Sequence, residues 1–303
     1  MILVTGATGT IGSSVLRRLS EAGVRTRALS RDPSRGAPLP HVEWAKADLS
    51  QPETLLPAFE DADRLFLLTG NARNLANLQK NALEAAVAAG VDHVVKLSAR
   101  GAQPGSLSAI ARWHHEVESH LQATDLTWTV LRPHVFMQNL LNQAERISTH
   151  GEIRAAAGDG RIPFIDTRDI ADVAATVLTE NGHAGETYTL TGGVALDYHQ
   201  VAAAIGAVTN QKVTYVPEEP DELRARLRTQ GLPDWHVDSR CALAAYQRAG
   251  GETARVTRDV LDVTGHTPRS ISQFTNDHRS AFVPSDSTPA SDAVDRTTQP
   301  SLA

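Results

Sequence analysis

A chain of 303 residues, 41% hydrophobic and 21% charged, carries enough apolar material to bury a large core with a smaller annex. Its formal net charge of -6 argues against a broad nucleic-acid or anionic-membrane surface, though a local basic pocket stays compatible with it. One cysteine, Cys241, excludes an internal disulfide framework and any multi-cysteine metal site, and it fits a reducing cytoplasm.

Short β-branched or leucine-rich runs predict strands over 1–5, 25–29, 42–46, 64–68, 93–97 and 127–131. Helical patterns fall between them, over 11–22, 52–59, 75–89, 108–123 and 136–145. The alternation predicts an α/β fold with a doubly wound parallel sheet, because parallel neighbours need crossover connections. The strands are apolar on both faces, as a sheet covered twice requires. Beyond residue 150 the pattern loosens: a short strand over 162–165, a helix over 169–179, a strand over 186–190, and helices over 198–207, 221–229 and 238–249. We therefore expect a core over 1–150 and a smaller C-terminal α/β annex over 151–282 with segments returning to the core. The stretch 283–303, rich in Ser, Thr, Pro and Asp, is expected to be a disordered tail. No stretch reaches the roughly 18 apolar residues of a membrane span, and the first four residues are too few for a signal sequence.

The first strand runs directly into "GATGTIG". Gly6 permits a sharp turn, Gly9 removes a side chain where a diphosphate would approach the backbone, and Gly12 lets helix and strand pack closely. Around them Thr8, Thr10 and Ile11 complete a helix start whose free amides attract phosphate. The spacing GxxGxxG departs from the more general GxGxxG, but a preceding strand and a following helix make it a dinucleotide-binding turn of the Rossmann kind. The second strand ends Ser30, Arg31, Asp32. No carboxylate stands where an NAD-specific site holds the ribose hydroxyls, whereas Arg31, with Arg35 behind it, can fork onto a 2′-phosphate. NADP(H) is the expected coenzyme, with NAD(H) as the second choice; a solvated Arg31 beside an Asp32 that caps the next turn is the plainer alternative.

Taken together, "VTGATGTIG", "ALSRDPS", "WAKADLSQPETLLPAF", "VVKLSA", "LTWTVLRPHVFMQNLL" and "PFIDTRDIADVAATVL" resemble the NmrA-like branch of the atypical short-chain dehydrogenase/reductases, from residue 1 to about 282. That branch includes type-2 NAD(P)H:quinone oxidoreductases, triphenylmethane and azo-dye reductases, and NADP-sensing regulators without catalysis. The resemblance implies that Asp48 and Leu49 border the adenine, that Thr69 and Gly70 follow the ribose side, and that Lys96, Ser98 and Ala99 lie near the nicotinamide.

The wider superfamily uses a Tyr-x-x-x-Lys pair as its proton donor. Here Ile110 and His114 fall at those positions, and no other such pair occurs in the chain. An acceptor that tolerates negative charge, such as a quinone or dye, therefore suits the site better than a simple ketone. Ser98 and His114 are the expected catalytic residues: Ser98 to orient an acceptor oxygen, His114 to bond the coenzyme ribose or the acceptor, or to donate a proton near neutral pH. Asn71, Ala99, His134, Phe136, Met137 and Asn139 are expected to line the acceptor pocket, although Phe136 fits a packing role better. "WHHEVESH" lacks the i, i+4 histidine pair of a zinc helix and reads as a solvated helix face; no metal is expected. Asp169 or Thr167 is expected to cap the helix after them, and Cys241 to be packed rather than reactive.

The sequence thus reads as an NAD(P)H-dependent oxidoreductase that transfers hydride to a quinone-like or conjugated aromatic acceptor. A non-catalytic NADP-sensing regulator, or a reductase, isomerase or lyase acting on one aromatic metabolite, are the other readings. The expected partners are a small molecule and, for a monomer or homodimer, at most a second copy, with no nucleic acid and no membrane.

Overall fold

A computed structural model describes residues 1–284; nearly all of the expected tail lies outside them. In chain order the elements are β1 (Ile2–Val4), α1 (Thr10–Glu21), β2 (Thr26–Ser30), β3 (Val42–Lys46), α2 (Leu55–Phe59), β4 (Arg64–Leu67), α3 (Leu75–Ala89), β5 (His93–Leu97), α4 (Ala109–Gln122) and β6 (Thr127–Pro133). There follow α5 (Ala144–His150), β7 (Glu152–Ala155), α6 (Thr167–Thr179), β8 (Glu186–Leu190), α7 (Tyr198–Thr209) and β9 (Thr214–Pro217). The last are α8 (Pro220–Thr229), α9 (Asp234–Ala249), α10 (Asp259–Thr264), α11 (Ile271–Asp277) and α12 (Arg279–Phe282).

Seven parallel strands form the main sheet in the order β3-β2-β1-β4-β5-β6-β8. The order reverses between β1 and β4, so the crevice that receives a ligand in such sheets opens at the carboxyl ends of those two strands. Each strand side chain chooses a layer by its parity. Val4, Phe66, Val95 and Leu131 meet Ile11, Val15, Leu19, Ile170, Val173 and Val177 of α1 and α6. Leu3, Leu65, Leu67 and Val94 meet Leu55, Phe59, Leu75, Leu83, Val117 and Leu121 on the opposite face. Fully burying each aliphatic side chain contributes roughly 1.5–3 kcal/mol, which is why the near-continuous apolar strands sit between two helical layers.

The segments expected to return to the core do so as α6, packed on α1, and β8, paired with β6. The rest of the C-terminal half builds its own core around Ile147, Ile153, Phe164, Tyr198, Ile205 and Phe274, above which the parallel pair β7 and β9 forms a small sheet. Gly151 turns into β7 with φ +65°, and a Cβ there would meet the Lys212 carbonyl oxygen.

Three expectations change. The strand over 162–165 is reduced to single bridges, Phe136 to Ile165 and Ile162 to Leu196, because Pro163 has no N–H to continue a ladder. The helix over 136–145 is a 3-10 turn over Met137–Gln143 followed by α5. Tertiary bonds tighten it: the Met137 N–H donates to the Ile165 carbonyl at 2.8 Å, and the Gln138 side chain donates to Asp166 at 2.8 Å. Finally, Asp166, not Asp169 or Thr167, caps α6, accepting from the Arg168 amide at 2.9 Å.

Candidate active site

The turn between β1 and α1 is built around its glycines. Gly6 adopts φ +60°, and a side chain on it would run into Leu68. On Gly12 a Cβ would strike the Gly6 carbonyl, and on Gly9 it would lie 3.3 Å from the same oxygen. Thr5 locks the turn to β4, donating its hydroxyl to the Leu68 carbonyl and accepting from the Leu68 amide, both at 2.8 Å. The N-cap of α1 is Gly9, without a side-chain cap and without an acidic residue in the first turn. The amides of Thr10, Ile11 and Gly12 therefore have no intrahelical acceptor and face the crevice as a positive end. Such a cradle, kept clear of side chains, fits a diphosphate. Thr8 and Thr10 are exposed beside it, while Ile11 turns its side chain into the core.

At the end of β2, Arg31 and Arg35 are exposed and have no ion-pair partner among the described residues. Asp32 is not competing for a ribose: its carboxylate accepts from the Ser34 hydroxyl at 2.6 Å and amide at 3.2 Å, capping the 3-10 turn Pro33–Arg35. Those bonds also lower its pKa. Asp48, after β3, accepts from the Ser50 amide at 2.9 Å and hydroxyl at 2.8 Å; these bonds, helped by the charge of Arg31, lower its pKa. Leu49 packs into the second layer and its carbonyl holds the Asn81 amide at 2.8 Å. Thr69, after β4, accepts from Gln79 Nε2 at 2.8 Å, while the buried Gln79 Oε1 has no partner. Gly70 and Asn71 next to it are exposed.

Beneath the β5 end lies a polar cluster that sequence reading met only in pieces. Val94, Lys96 and Ser98 share one face of β5 by their period of two, and Arg132 lies on the same face of β6. From α4, His114 and Glu118, one turn apart, point into the same layer. Lys96 Nζ bonds His114 Nδ1 at 3.0 Å and the Leu97 carbonyl at 3.3 Å. Ser98 donates its hydroxyl to Glu118, and Arg132 holds Glu118 with Nε at 3.1 Å and with a second nitrogen on the other oxygen. Ser98 therefore turns its lone pairs, not its proton, toward the crevice.

This arrangement corrects several expected contacts. Lys96 has no exposed surface, so its ammonium cannot touch a coenzyme; burial, opposed by Glu118 and aided by Arg132, brings its pKa down to about 7. Burial, with Lys96 adding to it, holds the His114 imidazole well below its ordinary range; at neutral pH the ring is uncharged and has no imidazolium proton to donate. The helix face expected to be solvated buries His114 and Glu118. His134 has both ring nitrogens engaged within the protein: Nδ1 accepts from the Val135 amide at 2.7 Å, Nε2 donates to the Thr253 carbonyl at 3.0 Å, and burial brings its pKa down to about 3. Met137 is 2% exposed inside the annex core. Ala99 and Phe136 are half-buried and Asn139 is exposed, and Phe136 packs on the core as its plainer reading had it.

Sequence reading missed Glu118, Arg132, Gln79 and Arg100. Arg100, just beyond β5, reaches the carbonyls of Glu252 and Arg255, the latter at 2.8 Å, and ties the turn after α9 over the strand ends. For Glu118 and Arg132 a signal existed in the i, i+4 spacing from His114 and the shared parity with Lys96; nothing local marked Arg100. Among the described residues no His, Cys, Asp and Glu group could hold a metal ion, and no helix is long and apolar enough to cross a membrane.

Comparison with known proteins bears out the expected resemblance. The profile of an NAD(P)H-binding family matches residues 6–181. NAD(P)H azoreductase of Xenophilus azovorans is 37% identical over 284 residues, covering 93% of this chain and 99% of that one. The crystal structure of the NADPH-dependent quinone oxidoreductase of Escherichia coli complexed with NADPH superimposes with a TM-score of 0.84 at 28% identity, over 92% of this chain and 99% of that one. That of the Citrobacter triphenylmethane reductase complexed with NADP(H) does so with a TM-score of 0.82 at 27% identity, over 92% and 99%.

Proposed function

Because this chain belongs to the NAD(P)H-binding family, we propose that it is an NAD(P)H-dependent oxidoreductase reducing a quinone-like or conjugated aromatic acceptor, as the azo, quinone and triphenylmethane reductases it resembles do by name. The observation that carries this reading is the glycine cradle under the amides of Thr10, Ile11 and Gly12, where a Cβ on Gly12 would collide with backbone. The coenzyme, when bound, supplies the hydride.

The chain supplies the rest. The α1 amides hold the diphosphate, and Arg31 with Arg35 holds a 2′-phosphate, which makes NADPH the preferred coenzyme. Asp48 and Leu49 border the adenine, and Thr69, oriented by Gln79, with Gly70 follows the ribose. Ser98 offers an acceptor and His114 lies beneath the nicotinamide position, while Asn71, Ala99, Phe136 and Asn139 border the acceptor. No tyrosine stands at position 110 and His114 is uncharged at neutral pH, so acceptors whose reduced form spreads its negative charge over a ring fit best. The same reading has a cytoplasmic protein, monomer or homodimer, acting on small molecules.

Purified protein should oxidise NADPH only when a benzoquinone, naphthoquinone, azo dye or triphenylmethane dye is added, under anaerobic conditions. NADPH binding by fluorescence with no acceptor-dependent oxidation across that panel would replace the enzyme with a coenzyme sensor.

A further inference from the structure

Lys96 is a lysine with no exposed surface, and the buried cluster gives its Nζ two acceptors, His114 Nδ1 and the Leu97 carbonyl. In its ammonium form, which prevails below about pH 7, Lys96 has donors only, so the nitrogen it then meets at 3.0 Å is the unprotonated one. The other nitrogen of the ring, Nε2, has no partner among the described residues, yet it is not sealed from solvent. His114 therefore stands with its inner nitrogen tied down and its outer nitrogen without a partner among the described residues.

We propose that Lys96 is a positioning residue that fixes the His114 tautomer, so that Nε2 carries the hydrogen and His114 offers the cleft an N–H donor. Ser98, whose hydroxyl hydrogen is taken by Glu118, offers an acceptor beside it. The site then presents one donor and one acceptor whose polarity is set from below, by Lys96 on β5 and Glu118 on α4. Arg132 on β6 is the other charge facing Lys96; it spans both Glu118 oxygens, sharing Oε1 with Ser98. A donor at this place stabilises an acceptor oxygen on which negative charge develops, without giving up its proton. That use rests on the proposed reductase reading; the tautomer does not.

The test is the nitrogen spectrum of the full-length protein with 15N-labelled histidine at pH 6, where the Lys96 ammonium prevails and the His114 ring is still uncharged, His114 being assigned by its absence in His114→Asn. We expect Nδ1 at a pyridine-type shift and Nε2 at a pyrrole-type shift with its one-bond proton. In Lys96→Met the two shifts should move toward each other as the tautomers mix, and Lys96→Arg should restore the separation. A pyrrole-type Nδ1 in the wild type overturns the proposal, and so does a Lys96→Met spectrum identical to the wild type. If Lys96→Met does not fold, the wild-type spectrum decides alone. Loss of quinone reduction with the expected tautomer in place would count against the reductase reading only.

Discussion

One arginine and two carboxylates carry separable consequences at the scale of single residues. Arg31 is exposed and unpaired among the described residues, so removing it leaves no buried charge behind and changes only what binds it. Hydrogen bonds to a charged phosphate contribute about 1.5–3 kcal/mol. Arg31→Ala should therefore raise the Kd for NADPH by roughly tenfold to a hundredfold and leave that for NADH nearly unchanged; equal weakening by fluorescence titration removes the phosphate assignment. Glu118 is the opposite case, 2% exposed and bonded by both Ser98 and Arg132. Taking one partner from a buried pair costs about 3–5 kcal/mol because the other charge stays behind. Glu118→Leu should lower the unfolding free energy read from a urea titration, by less than that because the Arg132 side chain remains 32% exposed, whereas Asp238→Ala, which breaks an exposed pair with Arg224, should leave it nearly unchanged.

Helix ends decide what the elements can do. The first turn of α1 has neither cap nor acid, whereas α6 begins on a buried Asp166 that also grips Arg168, which lowers its pKa against the pull of burial. One N-terminus is left open for a ligand and the other is closed for stability. Gly12→Ala should destroy coenzyme binding and cost about 1–3 kcal/mol of stability through overpacking against Gly6; a variant that binds NADPH normally would show that the turn is not the cradle. Most element positions were legible locally, since α3 with its Gly90 stop, β3, β5 and β8 begin and end where their apolar periods do. The pair β7 and β9 was not, because each has four residues and acquires its partner only across the annex.

For the molecule as a whole, buried histidines set the response to acid. His93 is brought down to about 4 by burial with Arg64 and His183 nearby, His134 to about 3, and His114 well below the ordinary value of 6.5. Each folded pKa lies below the unfolded one, so the stability is fully present above about pH 6.5 and is lost as pH falls toward the folded values. Between about pH 6 and pH 5 the unfolded chain binds more protons at His93 and His134, each of which should remove at most about 1.4 kcal/mol per pH unit, and His114 acts in the same direction. Chemical denaturation at pH 7, 6 and 5 should show stability falling with steepening slope; a flat profile would mean that these rings are solvated.

The parallel sheet, the layers that cover it and the glycine turn at its first strand were legible before any folding, because each depends on short-range periods and on residues within one turn of each other. It took the folded chain to bring Lys96, Ser98, His114, Glu118 and Arg132 into one polar cluster, to tie His134 to Thr253 and to let Arg100 fasten the turn after α9. Those contacts join residues from 14 to 155 positions apart. Whether a buried ring is charged depends on which neighbours the fold brings to it, and no local pattern records that.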